Sequence, residues 1–165
     1  MIKMLKIMML LSLVCLLIVP ALNGCTNEVY SVLAGYPVTY STTNSAYQCT
    51  LARLDIPDYC YCAMVVNSQQ WAGVSSMIPE KWISVITQGR PSGDQWVSEY
   101  QVSYTINGQD WKFVDDGRIF LGNFDRNTRI RRDFINPVIA RGIRIHPTKW
   151  VDHISFRFDA IFERL

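Results

Sequence analysis

The chain has 165 residues, with 16 Lys and Arg against 14 Asp and Glu. Both basic residues of the first 24 positions, Lys3 and Lys6, stand before an apolar run from Ile7 to Val19, so without that segment the balance is 14 against 14. A near-neutral remainder gives no electrostatic reason to expect nucleic acid as a partner.

The order of charge, apolar run, then Pro20 and small residues is that of a secretory signal peptide. The run falls short of the ~20 apolar residues that cross a bilayer as a helix. Residues 1–24 are therefore expected to be removed, with cleavage after Ala21 or after Gly24, leaving 25–165 as a secreted domain. Leu22-Asn23-Gly24-Cys25 also has some likeness to a lipoprotein signal, which Asn23 fits poorly. About 140 residues suffice for one hydrophobic core. Cys25, Cys49, Cys60 and Cys62 survive cleavage. Outside the cytosol disulfides are their expected fate, and three pairings are open. The single-residue spacing of Cys60 and Cys62 is unlike a zinc site.

Tyr100, Val102, Tyr104 and Ile106 alternate with Ser and Gln, which predicts a strand with one buried face. Asn107-Gly108 follows as a hairpin turn, and Trp111 and Phe113 resume the alternation on the return strand. Asp115-Asp116-Gly117 and Asn136-Pro137 read as turns. Ile143 and Ile145 alternate with Arg144 and His146, and Ile154, Phe156, Phe158, Ala160 and Phe162 keep one face of the last strand apolar. No window after the signal carries a capped helical period, so the reading is all-β, an antiparallel sandwich or closed barrel. The five tryptophans, Trp71, Trp82, Trp96, Trp111 and Trp150, are expected mainly in core packing, with Trp96 the ambiguous one beside the Arg90 loop.

Short motifs add to this. Val38-Thr39-Tyr40-Ser41-Thr42-Thr43, Ala52-Arg53-Leu54-Asp55, Gln70-Trp71-Ala72-Gly73-Val74, Ile86-Thr87-Gln88-Gly89-Arg90, Asp94-Gln95-Trp96-Val97 and Ala140-Arg141-Gly142-Ile143-Arg144-Ile145-His146-Pro147 follow one another in order. Together they resemble the discoidin domain, also called the coagulation factor 5/8 C-terminal domain. Asp94-Gln95-Trp96-Val97 and Asp125-Arg126-Asn127-Thr128 look close to the N-terminal domain of slime-mould discoidin lectins. The resemblance implies a jelly-roll β-sandwich of about eight core strands with ligand-binding loops at one end. By position those loops are Thr42 to Thr50, Ile56 to Tyr61 and Arg90 to Gln95. Family members often join their ends by a disulfide, yet no cysteine follows Cys62, which frees Cys25 for another partner or for a bridge between chains.

Ligand-contact candidates are Tyr47 and Tyr59, whose rings can stack on a sugar, and Asp58, Arg90, Asp94 and Gln95, whose polar groups can bond sugar hydroxyls. Trp96 joins them as the border residue. The plainer alternatives are aromatic cover for the core and an Arg90–Asp94 ion pair that shapes its own loop. Arg126, Arg129, Arg131 and Arg132 are the densest basic cluster, read either as an anion site or as an ordinary solvated strand face. The chain carries no nucleophile elbow, zinc-protease motif or phosphate loop. The expected function is a non-enzymatic lectin for galactose or N-acetylgalactosamine glycans in adhesion, in several copies. A peripheral phosphatidylserine-binding membrane module and an extracellular protein or collagen binder are the alternatives. No cofactor or metal is implied, and calcium has no support in the sequence.

Overall fold

A computed structural model describes residues 27–44 and 52–165. Among these residues nine strands follow in chain order: β1 (Glu28–Tyr30), β2 (Val38–Tyr40), β3 (Tyr61–Cys62), β4 (Ala72–Gln88), β5 (Trp96–Thr105), β6 (Trp111–Phe113), β7 (Phe120–Leu121), β8 (Ile130–Val151) and β9 (Ser155–Glu163). All pairings are antiparallel, and the described residues contain no α-helix, as the period-two patterning requires.

The two longest strands build both halves of the sandwich. The second half of β4 pairs with the first half of β8 and with β9, which in turn holds β1 and β3. The first half of β4 pairs with β2 and with the second half of β8, which carries β5 and, beyond it, β6 and β7. Trp82, Phe156, Phe158 and Phe162 from one arc meet Val74, Tyr100, Val102, Ile143 and Ile145 from the other in one buried core. Burial of this apolar area is the main stabilising term.

Both long strands carry a wide bulge at the change of arc. Ser75 and Glu80 of β4 pair with Gly142 and Ala140, and Trp82 and Ser84 pair with Val138 and Asp133. Three residues are thus extra on β4 in the first step and on β8 in the second. Such bulges bend a strand and sharpen its twist.

Four expectations need correction. Asn136-Pro137 is no turn; it lies in the β8 bulge, where the Asp115 carboxylate accepts the N–H groups of Ile135 and Asn136 at 2.9 Å each. The hairpin after β5 has a five-residue loop, because Thr105 pairs with Trp111. Only Gly108 there takes positive φ (82°), and the Asn107 side chain accepts the N–H groups of Gln109 and Asp110 instead. Strand β9 is buried on both faces: Ser155, Arg157 and Asp159 lie inside as well as its apolar set, since the pole loops and the turn after β1 cover the second face. Trp71 and Trp111 are half-buried on the outer face, stacked on the two sides of Arg144, while Trp82 is fully in the core and Trp150 packs against it. Asp115-Asp116-Gly117 is the expected turn, with φ of 48°, 55° and 83°.

Candidate functional site

Loops gather around the first residues of β9. Tyr61 and Cys62 pair with Phe156 and Ser155, and Asn44 donates its N–H to the Cys62 carbonyl. Ser155 Oγ donates to Gln95 Oε1 at 3.0 Å. Arg157, only 3% exposed, donates to the carbonyls of Gly89 (2.9 Å), Arg126 (2.7 Å) and Ile56 (3.5 Å) and to Asn127 Oδ1 (3.1 Å). A guanidinium has five donors in a fixed fork, so one buried side chain can hold three loop segments in register. Burial without a carboxylate partner pushes the Arg157 pKa down from its ordinary value.

Gln88, at the end of β4, is the second strut. Its Oε1 accepts the Asp55 N–H, and its Nε2 donates to Asp55 Oδ1 and to the Asn127 carbonyl. Asp55 and Asp58 both sit at positive φ (56° and 65°), where a short polar side chain is tolerated. Gly89 permits a close backbone approach: a Cβ there would stand 2.5 Å from the Asp125 carbonyl oxygen.

These contacts leave a shallow cavity of about 480 Å³ bounded by Asp55, Ile56, Pro57, Asp58, Gln88, Pro91, Asn127 and Arg157. Among the predicted residues that are described, Asp58 alone lines it. Its exposed carboxylate makes no hydrogen bond or ion pair among the described residues, and is free to accept from a ligand hydroxyl.

The other predicted residues lie beside it. Arg90 Nη1 donates to Gln95 Oε1 at 2.8 Å, and Gln95 Nε2 reaches Asp152 Oδ2 at 2.7 Å, so the loop closes on an amide. Asp94 pairs with Arg126 at 2.7 Å, which lowers the Asp94 carboxyl pKa through that hydrogen bond. The expected Arg90–Asp94 loop pair is thus replaced by a bridge from the β4–β5 loop to the β7–β8 loop. Tyr59 and Trp96 are partly buried at the margin. Tyr47 lies outside the described residues, as do Cys25 and Cys49.

Cys60 departs from the disulfide expectation: it is a free, buried thiol, its Sγ 3.3 Å from that of Cys62, which is disulfide-bonded. Burial raises the Cys60 thiol to about 11. The basic cluster behaves as the solvated-face reading has it. Arg126 pairs with Asp94, Arg129 with Asp55, and Arg131 with Glu28 and Asp133, while Arg132 donates to the Leu121 carbonyl. Among the described residues no three His, Cys, Asp or Glu side chains converge as a metal site.

Sequence reasoning missed Gln88, Asn127 and Arg157, and with them the β7–β8 loop as a wall of the cavity. The only signal was local: a Gln and an Arg at strand positions where the apolar alternation calls for a solvated side chain.

A sandwich whose pole is closed by loops of this kind has the architecture of a discoidin-type domain. The chain matches the F5/8 type C domain over residues 37–159 and belongs to that family. Discoidin-2 of Dictyostelium discoideum is 33% identical over 99 residues, 60% of this chain and 38% of that protein. The solved structure of wild-type discoidin II from the same organism superposes with a TM-score of 0.79 at 26% identity, covering 87% of this chain and 61% of that one. The family 32 carbohydrate-binding module of C. perfringens NanJ, solved in complex with galactose, shares the fold, with a TM-score of 0.64 at 16% identity over 81% of this chain and 98% of that one. The chain thus spans less than two thirds of the discoidin proteins it matches.

Proposed function

We propose that this chain is a secreted, non-catalytic recognition module whose pole cavity binds glycans of the galactose or N-acetylgalactosamine type in cell adhesion. The observation that carries the reading is the unpaired Asp58 carboxylate, set at a rigid positive-φ position in a cavity walled by Pro57, Pro91 and Asn127. Acceptor and amide groups between flat apolar walls suit a sugar, which presents hydroxyl edges and C–H faces. The galactose-bound module of the same fold supports the choice of ligand class.

A glycan array probed with the folded chain tests this. Binding to terminal galactose or N-acetylgalactosamine is expected, and Asp58→Ala should weaken it by roughly 10- to 100-fold, as loss of a charged hydrogen bond worth about 1.5–3 kcal/mol implies. Arg90→Ala should act through Gln95, loosening the loop that carries Pro91. A blank array from folded protein removes the reading.

One observation favours the membrane alternative. Phe124, on the β7–β8 loop at the same pole, is 67% exposed. Flotation with phosphatidylserine vesicles that is lost in Phe124→Ser, together with a blank array, would establish that reading instead.

A further inference from the structure

Across the ridge Asp55–Pro57 from the pole cavity lies a second one, of about 450 Å³. Its lining differs in kind. Tyr30, Leu33, Leu54 and Ile56 give it an apolar floor, and Arg53 and Arg129 stand at its edge. Leu54 packs with Ile86 and Ile161 in a small cluster beneath, so the floor is firmly supported. Both walls are tied as well. Asp159, buried in β9, accepts from Ser31 Oγ and from the N–H groups of Val32 and Leu33, which pins the turn after β1. Asp55 is held by Gln88 and paired with Arg129.

The charges here do not balance where they meet solvent. Asp159 is buried away from solvent and held by neutral donors, and Arg129 and Asp55 offset each other. Arg53 is exposed and forms no hydrogen bond or ion pair among the described residues. A preformed apolar hollow of small-molecule size with one uncompensated guanidinium at its mouth has the make-up of a ligand site. Leu33, 56% exposed, would otherwise leave its apolar surface in water.

We infer that this second cavity binds a small amphipathic anion, its apolar body on Leu33, Leu54 and Ile56 and its carboxylate or sulfate on Arg53. Arg53 supplies two parallel N–H donors to such a group, a fit that a neutral ligand of the same shape lacks. The site is separate from the pole cavity and does not depend on what binds there.

The test uses the folded chain titrated with octanoate, octyl sulfate and 1-octanol, read by calorimetry and by backbone amide shifts. Both anions are expected to bind at least about tenfold more tightly than the alcohol, with shifts centred on Leu33, Leu54 and Ile56. Arg53→Gln should bring the anions down to the level of the alcohol, and Leu33→Asp should weaken all three. Both positions are exposed, so an unchanged melting midpoint is expected and verifies the fold of each variant. Equal affinity for anions and alcohol, an anion preference that survives Arg53→Gln, or shifts centred elsewhere overturns the inference.

Discussion

Arg144 lies between two indoles, its guanidinium carbon 3.6 Å from the Trp71 ring centre and 3.7 Å from that of Trp111. Its neighbour two residues on, His146, accepts or donates a 2.7 Å bond with Ser103 Oγ and meets Phe113 edge to face. Desolvation first, and the Arg144 charge second, push the His146 pKa down to about 4. An unfolded histidine titrates near 6.5. Between those two values the unfolded chain binds the extra proton, so this contribution to stability is complete above pH 6.5 and is lost as the pH falls towards 4. From pH 7 to pH 4.5 the neutral side chain of His146→Gln should spare the protein about 2 kcal/mol of the loss seen in the parent chain. Urea midpoints for both proteins at the two pH values measure it, and parallel losses would show that the imidazole is not desolvated as described.

At the scale of elements, the bulges make two strands serve two sheets, and the β8 bulge has a specific support. Asp115 accepts the N–H groups of Ile135 and Asn136 while itself adopting φ of 48°. Asp115→Ala removes both acceptors and leaves a Cβ-bearing residue without local compensation in the left-handed region, at a cost of about 2–3 kcal/mol. Asp115→Asn, which tolerates that φ and keeps an acceptor, should cost clearly less. Denaturant unfolding of the pair decides it; equal and small losses would mean the bulge stands without Asp115. This element also marks where local sequence reading stops. Asn136-Pro137 has turn chemistry, and whether such a pair turns the chain or bulges a strand depends on what β4 offers opposite it, 50 or more residues away. Alternation in β9 was legible as one apolar face, but Arg157 and Asp159 are inside because the pole loops and the turn after β1 cover the other face. Two of the loops, Ile56 to Tyr61 and Arg90 to Gln95, were legible from motif order, while most of the third, Thr42 to Thr50, lies outside the described residues. Their struts, Gln88 and Arg157, were not, since a polar residue in a strand looks solvated until the loops it binds are placed.

For the molecule as a whole, continuity of β4 and β8 through both arcs has a thermodynamic consequence. Neither half of the sandwich can open without breaking pairings of a strand that also belongs to the other, and Trp82, Phe156 and Phe158 share one core with Tyr100 and Ile145. Unfolding should therefore be a single cooperative step, as for most single domains of this size. Two sets of tryptophans give independent views of it. Trp82 reports the core, whereas Trp71 and Trp111 report the outer face where they enclose Arg144. In a chain already carrying Trp96→Phe and Trp150→Phe, the further change Trp82→Phe leaves the outer pair as the fluorophores and the further changes Trp71→Phe and Trp111→Phe leave Trp82; each signal should follow the same midpoint as far-UV circular dichroism within its protein, and calorimetric and van't Hoff enthalpies of the parent chain should agree. An outer-face signal that melts ahead of the backbone signal would show that the arc carrying β5 and β6 comes apart first, and that the shared strands do not couple the two halves.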